Sequence, residues 1–179
     1  MAELYGDKGR VIEMVEEYLR FCRTNPSGVD EVKSALASFI EEDAKYTQIK
    51  EVLIKKTQDD PDNGLYVDLL SWAFVSKKEF FPAFIQLKAL DKRKEQGGAK
   101  VFKLAKVCVQ NKEYRVAEKA YEYIMSYGRN SPYFYQAKLG AINMKYARVT
   151  ETGNYTEDEL IQIESDYKVF IADKYIPFG

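Results

Sequence analysis

Apolar residues recur along this chain at steps of three and four. Val11, Met14, Val15, Tyr18, Leu19 and Cys22 form one such stripe, the spacing of a helix that turns a single face to a core. Asn25, Pro26, Ser27 and Gly28 interrupt it, and Ser27 stands where it can cap a second helix carrying Val32, Leu36, Phe39 and Ile40. A third helix is predicted over 45–56, with Ile49, Leu53 and Ile54 inward. The cluster QDDPDNG at 58–64 reads as a turn. Further helices are predicted at 65–76, 79–95, 99–110, 113–127, 132–149 and 157–174, the last with Thr156 and Glu159 spaced as a capping box. No segment alternates with period two over strand length. The pattern predicts nine helices joined by short polar turns, an all-α protein.

The helices come in pairs, and the pairs repeat. Lys78, Glu79, Phe80 and Ala83 have counterparts 34 positions on at Lys112, Glu113, Tyr114 and Ala117. The same shift pairs Leu70 with Leu104, Ser71 with Ala105, Phe74 with Cys108, Leu87 with Tyr121 and Leu90 with Ile124. Gly64, Gly98 and Pro132 keep step as punctuation. Shifted backward, the register reaches Leu36, Ala37, Ile40, Tyr46, Ile49 and Leu53. Two helices of a hairpin approach most closely at one point on each, and small residues are needed there: Ser71 against Ala83, Ala105 against Ala117. A larger residue at Ala117 would overpack that contact, at a cost of about 1–3 kcal/mol. Each hairpin leaves a face that the next hairpin covers.

These residues resemble the tetratricopeptide repeat family, whose 34-residue unit places a Leu-small pair on its first helix and an aromatic, an Ala and two further apolar residues on its second. The match is closest at 98–131, through Leu104, Ala105, Cys108, Tyr114, Ala117, Tyr121 and Ile124, and nearly as close at 64–97. The resemblance implies a right-handed α-α superhelix of antiparallel hairpins in a single repeat domain over 1–179. Its parts are an N-terminal helix at 5–29, a degenerate repeat at 30–63 with Ile49 in place of the small residue, repeats at 64–97 and 98–131, and a divergent hairpin at 132–174. Leu139 and Gly140 begin that hairpin's match with a slip of one residue. The stretches FIQLKALDKRKEQGGAKVFKLA and NSPYFYQAKLGAINMKY are similar to long bacterial cell-envelope repeat proteins. That similarity implies a segment of a longer array in the periplasm or envelope, with the cytoplasm as the alternative and further repeats of the same chain as neighbours. The ending KYIPFG fits such a segment.

Composition narrows the chemistry. Of 179 residues 46% are hydrophobic, with 14 Tyr and 10 Phe, enough for a sizeable core. A net charge of −1 gives no bulk attraction to nucleic acid or anionic lipid. The charged N-terminus is not a signal peptide, and no apolar run approaches the roughly 20 residues of a membrane span. There is no histidine, which removes Ser-His-Asp and Cys-His arrangements and histidine zinc sites. Cys22 and Cys108 lie among apolar residues and read as two buried, unpaired thiols. No Walker loop, dinucleotide fingerprint or CxxC is present, so no cofactor or metal is expected and no catalytic constellation is seen. The basic run at 90–100 reads as a solvated helix end. Asp59, Asp60 and Asp62 evoke calcium, but Pro61 falls where a ligand is needed. Asn154, Tyr155 and Thr156 match a glycosylation sequon.

In the family the first helix of each repeat lines the concave face. By that register the face carries Asp68 and Trp72, then Phe102, Lys103, Lys106 and Gln110, then Ala137, Ala141 and Met144. An aromatic and lysine face suits an extended or helical segment of a protein partner, with Trp72 and Phe102 as anchors. The alternative is that both aromatics pack between helices and the lysines are solvated. Asp68 and Phe102 stand where some members carry Lys to grip a terminal carboxylate, and Trp72 where they carry Asn, so that specificity is not expected. The resemblance thus implies a non-enzymatic protein-interaction scaffold. An architectural spacer, or a module presenting substrate to a catalytic domain elsewhere, are the other readings.

Overall fold

The computed structural model describes residues 2–7, 9–153 and 155–175, and among them there is no strand. Its helices are α1 (Ala2–Asp7), α2 (Val11–Thr24), α3 (Val29–Glu41), α4 (Asp43–Asp59), α5 (Gly64–Ser76), α6 (Phe80–Lys94), α7 (Ala99–Gln110), α8 (Tyr114–Met125), α9 (Phe134–Thr152) and α10 (Glu157–Tyr175). The nine predicted helices are α2 to α10. The additional one, α1, ends at Asp7, and Gly9 beyond it takes a φ of 71°, off the helical path. The amides of Gly9 and Arg10 turn back to the carbonyls of Gly6 and Tyr5. Asn154 of the sequon and 176–179 of the KYIPFG ending lie outside the described residues.

The chain divides into two compact units, Met1–Lys94 and Glu95–Gly179. In the first, α1 packs on α2, α2 on α4, α3 on α4 and α5, α4 on α5, and α5 on α6. In the second, α7 packs on α8 and α9, α8 on α9, and α9 on α10. Each helix meets the next or the next but one, the contact pattern that stacked hairpins generate. The fold is an all-α repeat of helix hairpins, as the 34-residue period predicts.

The small positions behave as the period requires. Ala83, Ala105 and Ala117 are 0% exposed and Ser71 4%. Leu70 and Leu104 beside them are buried, as are Leu87, Leu90, Tyr121 and Ile124 on the second helices. Ala37 departs from the register: it is exposed. Its partner by the period is the buried Ile49, which stands where Ala83 and Ala117 stand, and that bulk occupies the close approach. The one-residue slip at α9 keeps the small residue in use, because a Cβ on Gly140 would lie 2.7 Å from Cζ of Tyr121.

The repeat also extends to the backbone of its turns. After α5 the amides of Lys77, Lys78 and Glu79 donate to the carbonyls of Ala73, Val75 and Phe74; after α7 those of Asn111, Lys112 and Glu113 donate to Val107, Val109 and Cys108. Each partner is 34 residues from its counterpart. Lys78 and Lys112 take φ of 59° and 61°, a left-handed conformation that costs a side-chain-bearing residue about 1–2 kcal/mol. It reverses the chain in three residues, as a Schellman-type stop does.

Caps divide. Thr156 and Glu159 form the predicted box: the Thr156 amide donates to Glu159 Oε2 at 3.0 Å, and the Glu159 amide to Thr156 Oγ1 at 3.2 Å. Ser27 does not cap α3. Pro26–Gly28 winds into a turn of 3-10 helix, Gly28 takes the cap position, and the Ser27 hydroxyl donates instead to Asn25 Oδ1 at 2.8 Å.

Candidate interaction face

Asp68 and Trp72 lie one turn apart on α5, in the first unit, each half-buried. The remaining predicted residues lie on α7, in the second unit. Val101, Leu104, Ala105 and Cys108 turn that helix's inner side to the core. Lys103, Lys106 and Gln110 share the opposite side and are exposed. Phe102 is half-buried at the edge of that stripe. Its ring stacks on Tyr133 at 5.4 Å between centroids and is tilted against Tyr121 at 6.3 Å. On α9 the register placed Ala137 and Met144 on the face as well, but both are buried; α9 packs on α7, α8 and α10, which use up those positions. Ala141 is half-buried.

Two tyrosines at equivalent positions make contacts that periodicity alone does not reveal. The Tyr46 ring receives Lys50 Nζ at 4.7 Å and Lys77 Nζ at 5.4 Å from its centroid. Lys50 pairs with Glu79 at 3.4 Å, and Lys77 with Asp43 at 2.5 Å. Burial raises the Tyr46 phenol and the neighbouring Glu79 raises it further. Tyr114 donates its hydroxyl to Glu151, which raises the phenol and lowers the carboxylate. In both cases a tyrosine at the start of one hairpin's second helix meets a carboxylate near the turn of the following hairpin. A phenol raised in this way stays protonated at neutral pH; the Tyr114 hydroxyl ties successive hairpins through Glu151, whereas the buried Tyr46 hydroxyl has no hydrogen-bond partner among the described residues and its ring is held by the two lysines.

The thiols are equally inert. Cys22 and Cys108 are free and buried. Burial pushes Cys108 up to about 12, with Glu113 adding to it, and a thiol that remains protonated is no nucleophile. At the turn before α5, Arg93 bonds Asp62 at 3.0 Å and the Pro61 carbonyl at 2.5 Å. The aspartate cluster is therefore clamped by arginine. Among the described residues no group of three or more His, Cys, Asp or Glu is placed to hold a metal ion. Among the described residues no helix is long and apolar enough to cross a membrane.

Two cavities lie away from the predicted residues of α5 and α7, and the smaller of them takes in Met144. One, of about 490 Å³, lies against α2 and α3, with Tyr18, Phe21, Val32 and Ala35 as apolar lining and Glu17, Arg20 and Glu31 as charged lining. The other, about 250 Å³, lies where α8 begins beside α9, among Lys112, Tyr114, Arg115, Glu118, Met144 and Arg148. The sequence pattern singled out Lys112, Tyr114 and Met144 of the second for other reasons, and no residue of the first beyond the apolar stripes of α2 and α3.

Hairpins of 34 residues, small residues at the close approaches and an exposed polar stripe on a first helix define a chain of the helical-repeat class with a TPR-like fold. No protein-family model matches it, and no curated protein does. Among solved structures, the crystal structure of MamA is similar over 97% of this chain and 96% of that one, at 18% identity and a TM-score of 0.42. A likeness at that level carries no information about partners or chemistry.

Proposed function

We propose that the chain is a non-enzymatic protein-interaction scaffold that holds a peptide segment of a partner along the first helices of its repeats. The observation that carries this reading is α7, which buries Val101, Leu104, Ala105 and Cys108 while presenting Lys103, Lys106 and Gln110 to solvent on one side. Two lysines one turn apart on α7 favour acidic residues in the partner; in the other unit, Trp72 on α5 by itself offers a large, half-buried ring as an anchor. A second reading, an architectural spacer in a longer envelope array, is favoured by Phe102, whose ring is engaged by Tyr133 and Tyr121.

Photo-crosslinking separates the two. A crosslinker at Lys106 captures a discrete partner, one at the exposed Lys119 of α8 does not, and the pair Lys103→Glu, Lys106→Glu reduces capture at least about tenfold. Trp72→Ala weakens capture as well. Equal capture at both positions, or capture indifferent to the charge reversals, overturns the scaffold reading in favour of the spacer.

A further inference from the structure

The turn before α5 carries a chemistry of its own. Asn63 is followed by Gly64, the pairing in which a main-chain nitrogen attacks the preceding side-chain amide most readily, because glycine has no Cβ to obstruct the approach. The attack joins Gly64 N to Asn63 Cγ in a five-membered imide. The Cγ–Nδ2 bond breaks, and the amide leaves as ammonia with the proton that Gly64 N gives up. Water then opens the ring at Cγ, which yields an aspartate, or at the main-chain carbonyl, which yields an isoaspartate whose backbone runs through the former side chain. Water is the co-reactant, and no cofactor enters. The chain's other asparagines precede Pro26, Lys112, Ser131, Met144 and Tyr155, all with side chains in the way.

The fold holds this reaction off. Asn63 caps α5: the Leu65 amide donates to Asn63 Oδ1 at 3.2 Å, and Asn63 Nδ2 donates to Asp60 Oδ2 at 3.0 Å. In the main chain the Asn63 amide donates to the Asp60 carbonyl at 3.1 Å, and the Asn63 carbonyl accepts from the Val67 amide at 3.3 Å. The ring closes only when Gly64 N swings to the Cβ side of Asn63, and at the observed ψ of 101° it is turned well away. Getting there breaks the cap and the first turn of α5 together. Arg93 of α6 resists that opening, with Nε on Asp62 Oδ1 at 3.0 Å and Nη2 on the Pro61 carbonyl at 2.5 Å. Residues 59–62 are exposed, so these hydrogen bonds, and not burial in a core, keep the turn shut.

We propose that Asn63 and Gly64 form a self-modification site, a one-way deamidation that Arg93 gates by holding the turn before α5 closed. Turns of this kind open and close locally while the rest of the chain stays folded, so the conversion counts the time this turn spends open. Its products alter the turn. The aspartate keeps an oxygen for the cap, but it has lost the donor to Asp60 and sets a carboxylate where the amide met Asp60 Oδ2. The isoaspartate adds a methylene to the main chain and carries its carboxylate off the Leu65 amide, which leaves α5 without its side-chain cap. The site is independent of whether α5 or α7 holds a partner.

The test is peptide mapping by mass spectrometry on the full chain, held folded at mildly alkaline pH, with the aspartate and isoaspartate products separated by elution. Arg93→Gln accelerates conversion at Asn63 at least about fivefold. Arg129→Gln, which frees an aspartate of the second unit, leaves the rate unchanged. In concentrated urea Asn63 converts ahead of the other asparagines, and wild type and Arg93→Gln share one faster rate, as they must if Arg93 acts on the turn and not on the reaction. Below the unfolding transition the rate stays level with urea, because a local opening exposes little surface. Asn63→Ser keeps a capping oxygen and has no amide to lose, so ageing lowers the urea midpoint of wild type and not of this variant. A folded Arg93→Gln that converts no faster than wild type, a folded rate equal to the unfolded one, or a rate that climbs with urea in step with global unfolding overturns the proposal.

Discussion

Lys78 and Lys112 offer the sharpest test of whether the repeat reaches the backbone. Both sit at φ near +60°, in turns whose hydrogen bonds correspond partner for partner. Glycine adopts that conformation without the Cβ clash, so Lys→Gly recovers about 1–2 kcal/mol of strain. The more flexible unfolded chain offsets about 0.4–1 kcal/mol of that gain. The net expectation is stabilisation by about 0.5–1 kcal/mol at each position, with Lys112→Gly at the lower end because it also loses an exposed pair with Glu151 at 3.4 Å. Valine, branched at Cβ, is the opposite perturbation and destabilises by about 1 kcal/mol. The quantity to measure is the gap between Gly and Val, about 1.5–2 kcal/mol, in urea unfolding. Circular dichroism follows the whole chain, and fluorescence of Trp72, the single tryptophan, follows the first unit for the Lys78 variants. A gap under about 0.5 kcal/mol at either site, or opposite signs at the two, refutes the claim that these turns are one device used twice.

Ser71 stands where the next repeat has Ala105, and its hydroxyl is buried with no hydrogen-bond partner among the described residues. Ser71→Ala is therefore expected to stabilise the first unit by about 1 kcal/mol, read as a higher urea midpoint at unchanged m-value. In the second unit, Lys138 and then Arg129 hold Asp173 below its ordinary value of 3.8, and Lys145 chiefly holds Asp166 below the same value. A carboxylate with a lowered folded pKa binds fewer protons folded than unfolded, so its stabilisation is complete above 3.8 and is lost as pH falls below it. Lys138→Met and Lys145→Met are expected to flatten the acid limb of stability between about pH 5 and 2, followed by thermal melts.

Much of the fold was legible because close packing restricts residue size at fixed places. Ala83, Ala105 and Ala117 had to be small for helices to approach, and their period marked the hairpins before any geometry was known. Ser27 misled because a residue suited to capping was drawn into the 3-10 turn that Pro26 and Gly28 impose. The left-handed turns were hidden for a chemical reason: lysine does not advertise φ above zero as glycine or asparagine does. What signalled them was the repetition of Lys-Glu-aromatic, whose cause lies in the backbone before it lies in the side chains.

The predicted face divides along a similar line. Lys103, Lys106 and Gln110 are exposed because their α7 phase follows from which neighbours are buried, and phase is what periodicity encodes. Phe102 was ambiguous because its partner Tyr133 comes from the connection before α9, where the register slips and a 34-residue shift finds no counterpart. Contacts made by repeat-breaking segments leave no trace in the 34-residue period.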